Sequence, residues 1–124
     1  MTLLLASLNA SDMRDASRAN FAVAKFNNLG VDVAAVQETH FESDLDDYVP
    51  KNLFEVYSAY GGPSSRGVSL LVKRSLNAVT DIVFAGAGGR LIVADVAVRS
   101  YKFRVVAVYA PNIVAERKAF FRQL

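Results

Sequence analysis

A carboxylate, an amide and an imidazole arrive together where an apolar run gives out. Val31-Asp32-Val33-Ala34-Ala35-Val36 passes directly into Gln37-Glu38-Thr39-His40. Two other apolar runs end in the same way. Thr2 to Leu8 ends at Asn9, and Arg104 to Val108 ends at Tyr109-Ala110-Pro111-Asn112. The carboxyl ends of strands are where open α/β sheets place ligands. Three strands with polar endings therefore predict one shared site. Glu38 is the sole acid among these endings and is read as a metal ligand.

The elements that must position these groups follow from periodicity. Thr2 to Leu8 is strand-like. Ser11 or Asp12 can cap a helix from about Met13 to Leu29. Ala16, Ala19, Val23, Phe26 and Leu29 recur at spacings of three and four, which gives that helix one apolar face. Gly30 supplies its stop. Val31 to Val36 is the second strand, and the βαβ unit makes the first two strands parallel. Further strands are predicted over Leu53 to Tyr60, Val68 to Lys73 and Thr80 to Phe84. Leu91 to Val98 and Tyr101 to Val108 read as a hairpin closed near Arg99-Ser100. After Pro111, Asn112 can cap a second helix carrying Val114, Phe120, Phe121 and Leu124. Runs such as Leu70-Leu71-Val72 and Leu91-Ile92-Val93-Ala94 are apolar on both faces, as in sheets covered on both sides. Two helices cover at most one face of a seven-strand sheet. The uncovered face predicts that residues 1 to 124 are the first half of a larger layered domain, truncated at the carboxyl end.

Bulk composition narrows the classes. The chain has 124 residues, enough for one domain, and 52% of them are hydrophobic. Its net charge of +2 argues only weakly for a polyanionic partner. Without cysteine, disulfides, Cys-based zinc sites and a Cys nucleophile are excluded. No apolar stretch approaches the roughly 18 residues of a membrane span. Thr2 to Leu8 has no Lys or Arg before it, so it is read as a strand and not a leader.

Four segments occur in an order and spacing that carry a resemblance. They are Ser7-Leu8-Asn9, Val31 to His40, Ser65-Arg66-Gly67-Val68-Ser69-Leu70-Leu71-Val72 and Val108-Tyr109-Ala110-Pro111-Asn112. On these the chain resembles the endonuclease/exonuclease/phosphatase superfamily, the group of DNase I and exonuclease III. Within it, the wording is similar to the apurinic-like endonuclease domain of non-LTR (LINE-type) retrotransposons. The resemblance implies the N-terminal half of a four-layer α/β sandwich, with a mixed sheet and flanking helices. It also implies Mg²⁺-dependent hydrolysis of DNA phosphodiesters, with Mn²⁺ as a substitute metal. Glu38 would hold the metal, with Asn9 orienting the metal or the scissile phosphate. Tyr109 would offer its hydroxyl to the phosphate, and His40 and Asn112 would support the substrate. The implied partners are the DNA phosphate backbone, the missing half of the domain and a reverse transcriptase region, in the nucleus if the chain is part of a retroelement protein and otherwise in the cytoplasm.

The sequence departs from the family pattern in two ways. Ser11 stands where the family usually has Asn or Asp. The family's Asp-x-Asn and terminal Asp-His motifs do not occur in these 124 residues, so the base that would activate water is not among them. The chain is therefore expected to be inactive alone. A phosphatase or phosphodiesterase of the same superfamily, or a non-catalytic module that keeps the scaffold, are the alternatives. Arg66 and Arg90 could contact phosphates, but they flank turns and are read as solvated. Gly86-Ala87-Gly88-Gly89 lacks the Lys-Ser/Thr ending of a phosphate loop and is read as a hairpin turn. The spacing of Asp44, Asp46 and Glu55 suggests a calcium loop, but Val49 occupies its obligatory glycine. Geometrically, the Asn9 amide and Glu38 carboxylate are expected within about 4 Å as ligands of one ion. The Tyr109 hydroxyl would line the same shallow cleft, with His40 at its rim.

Overall fold

The computed structural model describes residues 2–62, 66–110 and 114–122. Among these described residues, seven strands and two α-helices follow in the order β1 (Leu5–Asn9), α1 (Ala16–Leu29), β2 (Val33–Gln37), β3 (Phe54–Ala59), β4 (Val68–Lys73), β5 (Val79–Gly86), β6 (Leu91–Val98), β7 (Tyr101–Val108) and α2 (Val114–Arg122). The strands make two sheets. One has four strands in the order β1-β2-β4-β3, and the other has three, β5-β6-β7. Strands β1 and β2 are parallel as expected, with Asn9 opposite Gln37. All other pairings are antiparallel.

The chain is layered as helix, sheet, sheet. Ala19, Ala22, Val23 and Phe26 of α1 pack on Ala34, Val36 and Leu71 of the four-stranded sheet. The other face of that sheet, through Val33, Val68, Leu70 and Val72, packs on Ile92, Ala94 and Ala107 of the three-stranded sheet. This corrects the reasoning from one seven-strand sheet. Successive residues of β4 are buried on both faces because its second cover is another sheet of the same chain, not an absent layer. Period-two alternation in β6 supplies that cover with Ile92 and Ala94, and continues through the buried Val96 and Val98.

Helix α1 starts later than its periodicity suggested. Asp15, not Ser11 or Asp12, is its N-cap, and its carboxylate accepts from the backbone N–H of Ser17 and Arg18. Gly30 ends it in the left-handed conformation, φ 73°, with Val31 N–H donating to Phe26 O. Strand β1 is also shorter than Thr2 to Leu8 and lies at the sheet's margin, where Leu5 is 60% exposed. An apolar strand of few residues reads as buried in sequence, and its marginal position comes only from the pairing order. The described side chains of α2 are exposed, Val114 and Phe121 among them. Asn112 and Leu124 lie outside the described residues.

Candidate active site

The parallel start fixes where the polar endings go. Backbone hydrogen bonds continue past the end of the β1–β2 ladder. Ala10 N–H donates to Gln37 O, Asp12 N–H to Glu38 O and Met13 N–H to Thr39 O, all at 2.8–2.9 Å. The segment after β2 is then pinned to the start of β4, with Thr39 N–H on Gly67 O at 3.1 Å and His40 N–H on Arg66 O at 2.9 Å. Gly67 N–H donates to Gly89 O, and Tyr109 N–H to Arg90 O at 2.8 Å. One chain of main-chain bonds thus joins residues 10–13, 37–40, 66–67, 89–90 and 109. Asn9, Glu38, His40 and Tyr109 are all carried to this end of the two sheets.

Close approach of these loops demands glycine. A Cβ on Gly67, φ 89°, would strike the Thr39 hydroxyl and lie 3.0 Å from His40 N. One on Gly89 would lie 2.6 Å from the Gly61 backbone. Non-glycine residues are strained here as well. Ser11 (φ 51°), Asp12 (98°), Glu38 (54°), His40 (62°) and Arg66 (70°) all adopt positive φ. Such backbone strain persists where surrounding structure over-determines it, and it clusters at functional sites.

The side chains then make a specific arrangement. The His40 ring stands between two carboxylates, with Nδ1 3.7 Å from Asp12 Oδ2 and Nε2 4.0 Å from Glu38 Oε1. His40 is 12% exposed and its Nε2 has no hydrogen-bond partner among the described residues. It is therefore an inner member of the cluster and not a rim residue as expected. Asp12 is tied down by Arg14, whose Nε, Nη2 and backbone N–H all donate to it at 2.9–3.0 Å. The side-chain bonds from Arg14 are the main reason the Asp12 carboxyl is held well below the usual carboxylate range; partial burial opposes them. The Asn9 side-chain oxygen Oδ1 accepts from Ser11 N–H at 3.1 Å and from the Ser11 hydroxyl at 3.3 Å, closing a local turn. Gln37 braces β1 through Ser7 Oγ, so its amide is structural. Glu38 is 23% exposed and makes no hydrogen bond through its carboxylate among the described residues.

Asp12 was missed as a site residue because its sequence position resembles a helix cap. Arg90 was misread as a solvated turn residue. Its guanidinium carbon lies 5.5 Å from the centroid of the Tyr109 ring, a cation–π contact. The signal that could have marked Asp12 is the Asp-x-Arg spacing three residues beyond Asn9.

The donor set limits what ion could sit here. Among the described residues no group of three or more His, Cys, Asp or Glu side chains is arranged to hold a metal. A closed zinc-type centre is thereby disfavoured. One accessible carboxylate on Glu38 fits Mg²⁺, which keeps several waters and completes its shell with one or two carboxylates and substrate phosphate.

No protein-family model and no curated protein sequence matches the chain. Solved structures do. An AP endonuclease from Archaeoglobus fulgidus aligns over 98% of this chain and 47% of its own, at 20% identity and a TM-score of 0.69. AP endonuclease LMAP from Leishmania major aligns over 92% of this chain and 42% of its own, at 18% identity and a TM-score of 0.66. D. rerio TDP2, solved with a single-strand DNA product, aligns over 98% and 52%, at 18% identity and a TM-score of 0.66. The chain spans about half the length of these structures and has their DNase I-like α/β fold.

Proposed function

We propose that this chain carries the metal-holding part of a DNA phosphodiesterase of the endonuclease class. The observation that supports this most is the convergence of Glu38, His40 and Tyr109 on one strained, glycine-packed end of two sheets. The matched structures, by their descriptions, are AP endonucleases and a TDP2 with DNA product.

In this reading Glu38 holds Mg²⁺, and Mn²⁺ can replace it. The bound metal would polarise a phosphoryl oxygen and stabilise charge developing in the transition state. Asp12, fixed by Arg14, holds the outer side of His40 and so limits where the imidazole can go. His40 in turn backs Glu38. Asn9 shapes the turn beside them. Tyr109 offers its hydroxyl to the phosphate, and Asn112 is assigned a supporting role from its sequence position. The attacking water's base is assigned to a polypeptide outside these 124 residues, so the chain binds but does not cut alone. That completing polypeptide would lie along β1, one margin of the four-stranded sheet, which with α1 lines a hollow of about 660 Å³.

A retroelement origin rests on the wording of Gln37-Glu38-Thr39-His40, Ser65-Arg66-Gly67-Val68-Ser69 and Tyr109-Ala110-Pro111-Asn112. It brings with it a reverse transcriptase partner and a nuclear setting.

Binding of supercoiled plasmid with and without Mg²⁺ tests the reading. The chain should bind more tightly with Mg²⁺, and Glu38→Ala should remove the difference. No nicking is expected. An absent metal effect would contradict the metal assignment, and metal-dependent nicking abolished by Glu38→Ala would overturn inactivity alone.

A further inference from the structure

We propose that Arg90, supported by Arg66, is a phosphate-binding residue, the group that receives a non-bridging oxygen of a phosphodiester. The inference rests on the phosphodiesterase reading and names a residue that reading does not use.

Arg90 is fixed at both backbone polar groups. Its N–H donates to Gly86 O at 3.2 Å, and its carbonyl accepts from Tyr109 N–H at 2.8 Å. Gly88 and Gly89, at φ 64° and 79°, turn the chain so that Arg90 enters β6 beside Tyr109. The guanidinium then lies over the Tyr109 ring. That stack fixes the plane of the fork without using any of its N–H donors. The Nη1 group is shielded from solvent and has no hydrogen-bond partner among the described residues. Arg90 also makes no ion pair among them. A buried donor on a permanent cation, with neither acceptor nor counter-charge, is matched by an anion from outside.

A second guanidinium reaches the same turn. A Cβ placed on Gly88 would lie 2.9 Å from Arg66 Nη1, so Arg66 occupies the space a side chain there would need. The Arg66 carbonyl accepts from His40 N–H, which ties this arginine to the Glu38–His40 segment. Arg66 therefore lies on a loop bonded directly to the one that bears Glu38, and Arg90 follows a turn that is itself bonded to that loop through Gly67 N–H and Gly89 O. A carboxylate ligand would be satisfied by one fork. Two cations at the same end of the sheets as the carboxylate assigned to the metal match an anion that also binds the metal, which is phosphate.

The test is NMR titration of the chain with the 5′-phosphorylated dinucleotide pTpT, at several salt concentrations. The wild type should bind, and its labelled Arg90 side-chain resonances should shift on saturation. Arg90→Gln should weaken binding at least tenfold and lower the salt slope by about 0.7, the loss of one single-strand phosphate contact. Arg90→Lys should fall between them. If Arg90→Gln does not fold, the wild-type side-chain resonances alone decide. Unmoved Arg90 resonances, equal binding by Arg90→Gln, or no wild-type binding of pTpT would each overturn the proposal. Loss of the Mg²⁺ effect in Glu38→Ala is read separately, so the phosphodiesterase reading can stand when the Arg90 assignment fails.

Discussion

The place of Glu38 at the end of β2 was legible because its signal is local. An apolar strand that ends abruptly in acid, amide and imidazole needs only the period of a strand to be placed. The contacts of Asp12 and Arg90 were not legible, because they depend on positive-φ backbone and on loops from distant parts of the chain. A carboxylate before a helix has the same wording whether it caps the helix or grips Arg14. The Asp12–Arg14 contact has a measurable consequence. Its carboxyl is depressed in the folded chain, so the native state holds it ionised and the unfolded chain releases it to an ordinary value near 4. That stabilisation is fully present above about pH 4 and is lost as the pH falls through the lower folded value. Urea unfolding should therefore show Asp12→Asn less stable than wild type from about pH 5 to 7, with the gap closing on further acidification. Parallel curves at all pH values would remove the Asp12–Arg14 clamp from the account.

At the scale of elements, period and punctuation gave most strands within a few residues. Val68–Lys73, Leu91–Val98 and Tyr101–Val108 have the expected bounds, and the βαβ start is parallel. Strand β5 runs longer than Thr80 to Phe84 because a register shift between Ile82 and Phe84 lets it keep pairing with β6. The loops that close the site depend on glycine at particular places. Gly67→Ala should cost on the order of 2 kcal/mol, since it adds backbone strain and a clash with Thr39. Gly62, whose Cβ would meet nothing within 4 Å, is the control, and Gly62→Ala should stay within about 0.5 kcal/mol of wild type. Equal melting temperatures for the two variants would show that the loops are not packed as described.

For the whole molecule, two-faced burial in β4 was visible in the sequence, whereas β6, read as apolar on both faces, alternates beyond Leu91 and buries one face more deeply than the other. Their partnership across two sheets was not visible, because strand lists do not say where a sheet divides. Apolar surface remains on the three-stranded sheet, at Val79, Val83, Phe84 and Val106, and along β1 and α1, where Leu5, Leu8, Phe21 and Leu29 are exposed, the last three around one hollow. The chain should self-associate through this margin, and Phe21→Glu should reduce concentration-dependent sedimentation. An unchanged profile would place any association elsewhere. The central claim is that Glu38 anchors a divalent cation at the shared end of the two sheets. Paramagnetic broadening of backbone amides by Mn²⁺ tests it most directly. Broadening centred on residues 9–12 and 37–40, reversed by excess Mg²⁺ and lost in Glu38→Ala, is the predicted result. Broadening centred on the acidic segment 42–47, or unchanged by Glu38→Ala, would contradict it.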